Sequence, residues 1–255
     1  MELKEVVAVI TGGASGLGKA TAQHIVAAGG KAILLDIDHE KGQVFAASDQ
    51  DHLLFVDTDV TDEQAVLAAL NAGIKKFGDC NVVVNCAGTG SATKILSKHG
   101  IHSLQQFSRI IDINLIGTFN VLRLAADLMQ TNDADEDGQR GVIINTASVA
   151  AFDGQIGQAA YSASKGAIVS MALPLARELA DVGIRVMTIA PGMVETPMFA
   201  SLPESVQQSL GAATPFPKRL GKASEYALLV EGIIRNTLLN GEVIRMDGAI
   251  RMQPK

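Results

Sequence analysis

Short apolar runs alternate with longer amphipathic stretches from one end of the chain to the other. The runs fall near residues 6–11, 32–36, 53–57, 81–86, 141–146, 184–190 and 242–246, each five to seven residues long. They are nearly continuous in Val, Ile, Leu and Ala instead of alternating with polar residues, the pattern of strands buried on both faces. Between them the apolar positions recur at helical spacing. One such stretch runs from about Leu17 to Ala28 and stops at Gly29-Gly30. A second carries Phe119, Leu122, Ala126 and Met129, and a third, from Tyr161, carries Ile168, Met171, Ala172, Leu175 and Leu179. Thr61-Asp-Glu-Gln64 and Ser103-Leu-Gln-Gln106 have the spacing of capping boxes. Pro174 falls inside the third helix, removes its hydrogen bond to Ser170 and predicts a bend. Thr131–Arg140, polar and acidic, predicts an exposed loop. Short strands separated by helices predict an α/β fold: a doubly wound parallel sheet with helices on both faces. With no repeat or linker, residues 1–255 read as a single domain.

Composition narrows the partners. The net charge is −6 and no basic block exceeds two residues, which gives nucleic acid no electrostatic footing. No apolar run approaches the ~18 residues of a membrane span, so no membrane partner is expected. The chain enters its first strand directly after Met1-Glu-Leu-Lys-Glu5, so no leader is expected. Cys80 and Cys86 flank one predicted strand, about 20 Å apart at ~3.3 Å per residue, far beyond the ~7 Å that a disulfide allows. They are expected to be free thiols in a reducing compartment, the cytoplasm. No carboxylate or cysteine joins His99 and His102 to make a metal site.

Two stretches carry chemistry. Thr11-Gly-Gly-Ala-Ser-Gly-Leu-Gly18 joins the first strand to the first helix. There Gly12, Gly16 and Gly18 let the backbone approach a pyrophosphate at a helix N-terminus, as in a Rossmann-type dinucleotide site. The second strand ends at Asp36, near the ~20-residue spacing of a ribose-binding acid. Its carboxylate suits a free ribose and repels a 2′-phosphate, and neither Ser15 nor Ile37 offers a cation to offset that, so the expected cofactor is NAD and not NADP. At the other end, Tyr161 and Lys165 are four residues apart, which on a helix stacks them on one face. A phenol titrates near pH 10. A neighbouring ammonium lowers that value, and the Ser148 hydroxyl could hold a substrate oxygen against the phenol.

These motifs together, in this order, resemble the short-chain dehydrogenase/reductase family along the whole chain. Thr11-Gly-x-x-x-Gly-x-Gly18 matches its cofactor turn, Asp59-Val60 its adenine-binding pair, and Asn85-Cys-Ala-Gly88 its Asn-Asn-Ala-Gly stretch with Cys86 in place of the second Asn. Asn114, Ser148, Tyr161 and Lys165 match its catalytic tetrad; Pro191-Gly192 and Thr196 match the segment that holds the nicotinamide. The resemblance implies that Tyr161 exchanges the substrate proton, that Lys165 also holds the nicotinamide ribose, and that Asn114 opens its helix for a water relay. It implies that Thr196 bonds the carboxamide with Val194 nearby, while Ser15, Leu17, Asp59, Val60, Cys86, Ala87 and Gly88 line the rest of the cofactor cleft. Gln155 and Gln158, between Ser148 and Tyr161, either touch substrate or order that loop.

Longer runs, such as Gly141–Ala151 and Gly241–Pro254, resemble the branch of the family that oxidises 3-hydroxyacyl-CoA thioesters, which implies an acyl-CoA or similar small-molecule substrate, with steroid alcohols as further candidates. A carrier-protein reductase of fatty-acid synthesis and a non-catalytic cofactor-binding sensor remain the alternatives. The insert at Ser91–His102 and the stretch Met198–Phe216 are expected to shape the substrate pocket, with Lys94 and Lys98 either meeting coenzyme A phosphates or simply solvated. The apolar end, Gly248–Pro254, together with the stripes on the second and third helices and the subunit contacts of relatives, predicts a homotetramer whose partner covers that end.

Overall fold

A computed structural model describes residues 1–98, 100–196 and 211–254. All seven expected strands form: β1 (Val7–Thr11), β2 (Lys31–Asp36), β3 (Leu53–Asp57), β4 (Val82–Asn85), β7 (Gly141–Thr146), β8 (Ile184–Pro191) and β9 (Val243–Met246). They pair in parallel in the order β3-β2-β1-β4-β7-β8-β9. Two short strands, β5 (Leu96–Ser97) and β6 (Gly100–Ile101), make an antiparallel hairpin within the insert. The helices are α1 (Gly16–Ala27), α2 (His39–Ala47), α3 (Glu63–Phe77), α4 (Leu104–Ile111), α5 (Gly117–Met129), α6 (Ala159–Ala180) and α7 (Ala223–Arg235).

The continuous apolar runs have a direct cause. Alternate residues of each central strand point to opposite faces, and both faces are covered. Ile10, Leu34, Val84 and Ile144 pack with Ile25, Tyr226 and Val230 of α1 and α7. Val9, Ile33, Val83 and Ile143 pack on the other side with Val66, Leu70, Val121, Leu122 and Met129 of α3 and α5. Each fully buried aliphatic side chain here contributes about 1.5–3 kcal/mol of burial. The chain leaves β1 for β2 and β3 on one side, then returns to β4 on the other. That reversal opens a crevice beyond the carboxyl ends of β1 and β4, where ligands of such sheets bind.

Several expectations need correction. Asp62, not Thr61, caps α3: its carboxylate accepts from the backbone N–H of Gln64 and Ala65 at 2.8 and 3.1 Å. The Thr61 hydroxyl donates instead to Asp59 at 2.7 Å. A carboxylate is the stronger acceptor for those N–H groups. Ser103 stands at the cap position of α4, but its hydroxyl makes no capping bond. As expected, Pro174 falls inside α6 (Ala159–Ala180). The 131–140 loop is largely exposed, except that Gln139 is buried and accepts from Arg185 Nε at 2.5 Å.

The apolar chain end is anchored within its own subunit, although Ala249, Arg251, Gln253 and Pro254 stay exposed. Ile250 is 3% exposed, and the carbonyls of Gln253 and Pro254 accept from Gln155 Nε2 and Ile156 N at 2.9 and 3.0 Å. The helical stripes face mostly inward, with only Phe119 of them exposed; Ile116 and Leu173, beside the stripes on the same stretches, are exposed as well.

Candidate active site

The crevice holds a cleft of about 530 Å³. Its floor is the turn after β1. Gly12 and Gly16 have φ of +63° and +51°, the left-handed region that favours glycine. A Cβ on Gly18 would stand 2.4 Å from the Gly12 carbonyl oxygen, so helix and turn close up only with glycine there. Thr11 ties this turn to the end of β4, its hydroxyl accepting from Ala87 N at 2.9 Å. Asp36 closes the outer wall at the end of β2, with its oxygens accepting from Ala14 N and Asp38 N, both at 3.0 Å. Gly12, Ser15, Gly16, Leu17, Gly18, Asp36, Asp59, Val60, Cys86, Ala87, Gly88, Pro191, Val194 and Thr196 all line this one cleft. A glycine cradle that any side chain would fill, followed by a carboxylate, fits a dinucleotide with an unphosphorylated ribose.

Ser148, Tyr161 and Lys165 line the same cleft at its inner end. Ser148 follows β7 as the N-cap of a short 3-10 turn, its oxygen accepting from Ala150 N at 3.1 Å. Burial pushes the Tyr161 phenol above its ordinary value, and its hydrogen bond with Ser148 pulls the other way. The expected lowering by Lys165 is not what this geometry gives. The ammonium lies 6.0 Å from the Tyr161 ring centroid and donates to the Thr146 carbonyl at 2.7 Å. Burial lowers the Lys165 value to about 8. Gly90 and Gly88 make room for these groups: a Cβ on Gly90 would stand 3.2 Å from the Tyr161 ring, and one on Gly88 3.5 Å from Lys165 Nζ.

Asn114 sits in a π-helical turn, Asp112–Ile116, where the ladder between α4 and α5 widens. Its side chain is fully buried. Oδ1 accepts from Thr89 N at 2.7 Å, while Nδ2 donates to the Thr89 carbonyl at 2.8 Å and to Ser164 Oγ at 3.0 Å. Its own carbonyl accepts from the Thr118 hydroxyl at 2.7 Å. Asn114 therefore clasps the strand-end loop to α6.

Gln155 is turned away from the cleft toward Gln253, and Gln158 accepts from Gln155 N at 2.9 Å. Lys94 and Lys98 are exposed and do not line the cleft. His99 and Met198–Leu210 lie outside the described residues; of the rest of that stretch, Thr214 is buried and Phe216 is 82% exposed.

Sequence reasoning missed several residues. Arg109 and Ile113 also line the cleft, and their four-residue spacing ahead of Asn114 was an available signal. Thr89 and Ser164, which hold Asn114, carry no such signal. Nor does the cluster in which the Thr146 hydroxyl bonds Tyr226 at 2.7 Å beside Cys86. Burial pushes the Cys86 thiol up, against the pull of Thr146, Tyr226 and Lys165.

The short chain dehydrogenase family profile matches residues 6–207. The chain is 58% identical over 254 residues to human 3-hydroxyacyl-CoA dehydrogenase type-2, covering 99% of this chain and 97% of the relative. It is 56% identical to the Drosophila melanogaster protein of that name, covering 99% and 100%. Among solved structures, 3-hydroxyacyl-CoA dehydrogenase type-2 from Mycobacterium avium superposes with a TM-score of 0.95 at 39% identity, covering 99% of this chain and 98% of the other. A 3-ketoacyl-(acyl-carrier-protein) reductase from Brucella melitensis, complexed with NADH, superposes at 0.87 with 29% identity, covering 98% and 100%. With its nucleotide cradle, its Ser148–Tyr161–Lys165 group and full-length relatives of this kind, the chain belongs to the short-chain dehydrogenase family and is a dehydrogenase that binds a nicotinamide cofactor.

Proposed function

We propose that the protein oxidises the hydroxyl of a 3-hydroxyacyl-CoA to the ketone, reversibly, with NAD as its cofactor. The observation that carries this reading is the convergence of Ser148, Tyr161 and Lys165 on one nucleotide cleft, with Asn114 buried behind Thr89 of its wall, in a chain 58% identical to a 3-hydroxyacyl-CoA dehydrogenase. NAD, when bound, supplies the hydride acceptor. The remaining work belongs to the protein. Tyr161 takes the alcohol proton, and the Ser148 hydroxyl, bonded to the phenol, orients the same oxygen. Lys165, buried and held by the Thr146 carbonyl, keeps its charge below about pH 8. It is also the residue to hold the nicotinamide ribose. Asn114 lies across Gly88 from Lys165, so the widened π turn extends a proton route from the ammonium.

Gly12, Ser15, Gly16, Leu17 and Gly18 take the pyrophosphate, and Asp36 the adenosine ribose. Asp59 and Val60 flank the adenine, Cys86, Ala87 and Gly88 the next stretch of cofactor. Pro191, Val194 and Thr196 hold the nicotinamide. Asp36 selects NAD over NADP by repelling a 2′-phosphate. Ser148 and Tyr161 contact substrate, while Gln155 serves by ordering their loop. The exposed apolar side chains Ile116, Phe119 and Leu173 support a homotetramer, with a light-scattering mass four times the 26.7 kDa of the chain. Free Cys80, buried, and free Cys86, half-buried, suit a reducing compartment, with the cytoplasm as the default.

The test sets NAD⁺ reduction with 3-hydroxybutyryl-CoA against NADPH oxidation with an acetoacetyl carrier protein. Faster turnover in the first supports the proposal. Faster turnover in the second makes the protein a biosynthetic reductase, and binding without turnover in either makes it a cofactor sensor.

A further inference from the structure

The loop between Ser148 and Tyr161 has a proton-handling residue at each end and is fastened to the far end of the chain. The fastening centres on Arg245 of β9. Its guanidinium reaches Asp153 with two nitrogens, Nη2 to Oδ2 at 2.6 Å and Nη1 to Oδ1 at 3.4 Å. Nε donates to Asp247 Oδ2 at 2.7 Å, and Nη2 also donates to the Ile250 carbonyl at 3.0 Å. The plane lies 5.1 Å from the Phe152 ring centroid. Arg251 approaches the same Asp247 oxygen at 3.3 Å. Only a planar fork of five donors serves so many acceptors at once. The side chains of Arg245, Asp153 and Asp247 are 20%, 18% and 7% exposed, so this is not a solvated surface pair.

The C-terminal segment touches another wall of the cleft, and the exposed Phe216, as well. Met246 and Gly248 offer their carbonyls to Gly192 N at 2.9 Å and Phe216 N at 3.3 Å. Gly192 itself lines the cleft.

We propose that Arg245 is a positioning residue: by clamping Phe152 and Asp153 to the C-terminal segment, it sets the separation at which Ser148 and Tyr161 share one substrate oxygen. Loss of the cation does more than delete a bond. Asp153 and Asp247, each within hydrogen-bond distance of the same guanidinium, are left facing one another, and their repulsion drives the loop outward. A shift of about 1 Å in a reacting group costs up to about 10²-fold in rate.

The kinetic side of this proposal rests on the dehydrogenase reading above; the loop measurement does not. The variants are Arg245→Gln, Arg245→Lys, Asp153→Asn and the Gln/Asn double. In Arg245→Gln, kcat for alcohol oxidation is expected to fall at least about tenfold while the Kd for NAD⁺ stays within about twofold. Hydrogen exchange should quicken at Phe152, Asp153 and Ile156. Arg245→Lys should recover part of kcat, and adding Asp153→Asn to Arg245→Gln should recover part by removing the repulsion. A lowered Tm with kcat within about twofold of the parent would reduce Arg245 to a structural role and overturn the proposal. Should Arg245→Gln fail to fold, Asp153→Asn carries the same expectations. If the parent turns over no hydroxyacyl-CoA, the substrate reading falls alone, and unchanged exchange across 152–158 then overturns the clamp.

Discussion

The two walls of the cleft are made by different means. The nucleotide wall is built from backbone and near neighbours: three glycines within one turn, a helix N-terminus, and a carboxylate held by Ala14 N, 22 residues away in sequence. The proton-handling wall is built from side chains on separate elements, each held from a distance. Asn114 is fixed by Thr89 and Ser164, 25 and 50 residues away, and Asp153 by Arg245, 92 residues away. The glycine cradle and Asp36 of the first wall are set by short-range geometry, though Thr11 also ties them to Ala87; the second wall exists only when the whole fold has closed. The difference implies that binding and chemistry can be damaged separately.

Tyr161→Phe gives the widest separation. It keeps the ring and removes the proton carrier, so turnover should fall about 10²-fold or more, the scale of a lost general acid–base, while calorimetry records unchanged NAD⁺ affinity. Retained turnover would move the proton to another group. Lys165→Ala crosses the comparison, because one residue serves both walls, and should weaken turnover and NAD⁺ binding together.

Asp36→Ala probes the opposite wall. The parent should prefer NAD⁺ over NADP⁺ by about 100-fold, about 2.7 kcal/mol. The variant should narrow that gap by gaining NADP⁺ affinity, with kcat on saturating cofactor preserved. Equal binding of both cofactors by the parent would remove Asp36 from its assigned role.

Asn114→Ala tests whether the long-range clasp is energetic as well as geometric. It leaves Thr89 N–H and the Ser164 hydroxyl short of a buried partner, a loss of about 1–3 kcal/mol in chemical denaturation. Turnover should fall with it, since Gly88 and Gly90 follow the loop that Asn114 holds against Lys165 and Tyr161. Stability equal to the parent's would mean the clasp contributes nothing net.

The smallest effect is on the acid side. The hydrogen bond from Arg245, followed by its charge and that of Arg251, holds the Asp153 carboxyl below its ordinary value. A carboxyl depressed in the folded state stabilises it above its unfolded pKa, about 4, and loses that contribution as pH falls through the lower folded value. The Tm difference between the parent and Arg245→Gln should therefore be constant above about pH 4 and shrink below it, a contribution of about 1 kcal/mol. A gap that persists well below that range would trace the stability to packing on Phe152 instead of charge.

How much could be read in advance follows the same division. The strands were legible because a run buried on both faces must be apolar throughout, and β3 and β7 have the predicted bounds. The glycine turn was legible because its steric demand is local. Cap identity at Asp62 was not, since the box spacing Thr61–Gln64 points to Thr61, while Asp62 is also a capping residue type and the Thr61 hydroxyl is taken up by Asp59. The intramolecular hold on the apolar tail was not legible, because its donors, Gln155 Nε2 and Ile156 N, lie about a hundred residues away and nothing local marks them.

The sequence by itself determined the α/β order, the apolar core, the nucleotide turn with Asp36, and the Tyr161–Lys165 pair on one helix face. These depend on spacings of a few residues, which backbone geometry converts directly into position. The tertiary structure alone decided what holds the chemistry in place: Thr89 and Ser164 on Asn114, the Thr146 carbonyl on Lys165, and Arg245 on the Ser148–Tyr161 loop. Those contacts join residues far apart in the chain, and a hydrogen bond between such residues is specified by the closed shape of the whole molecule, which no local pattern encodes.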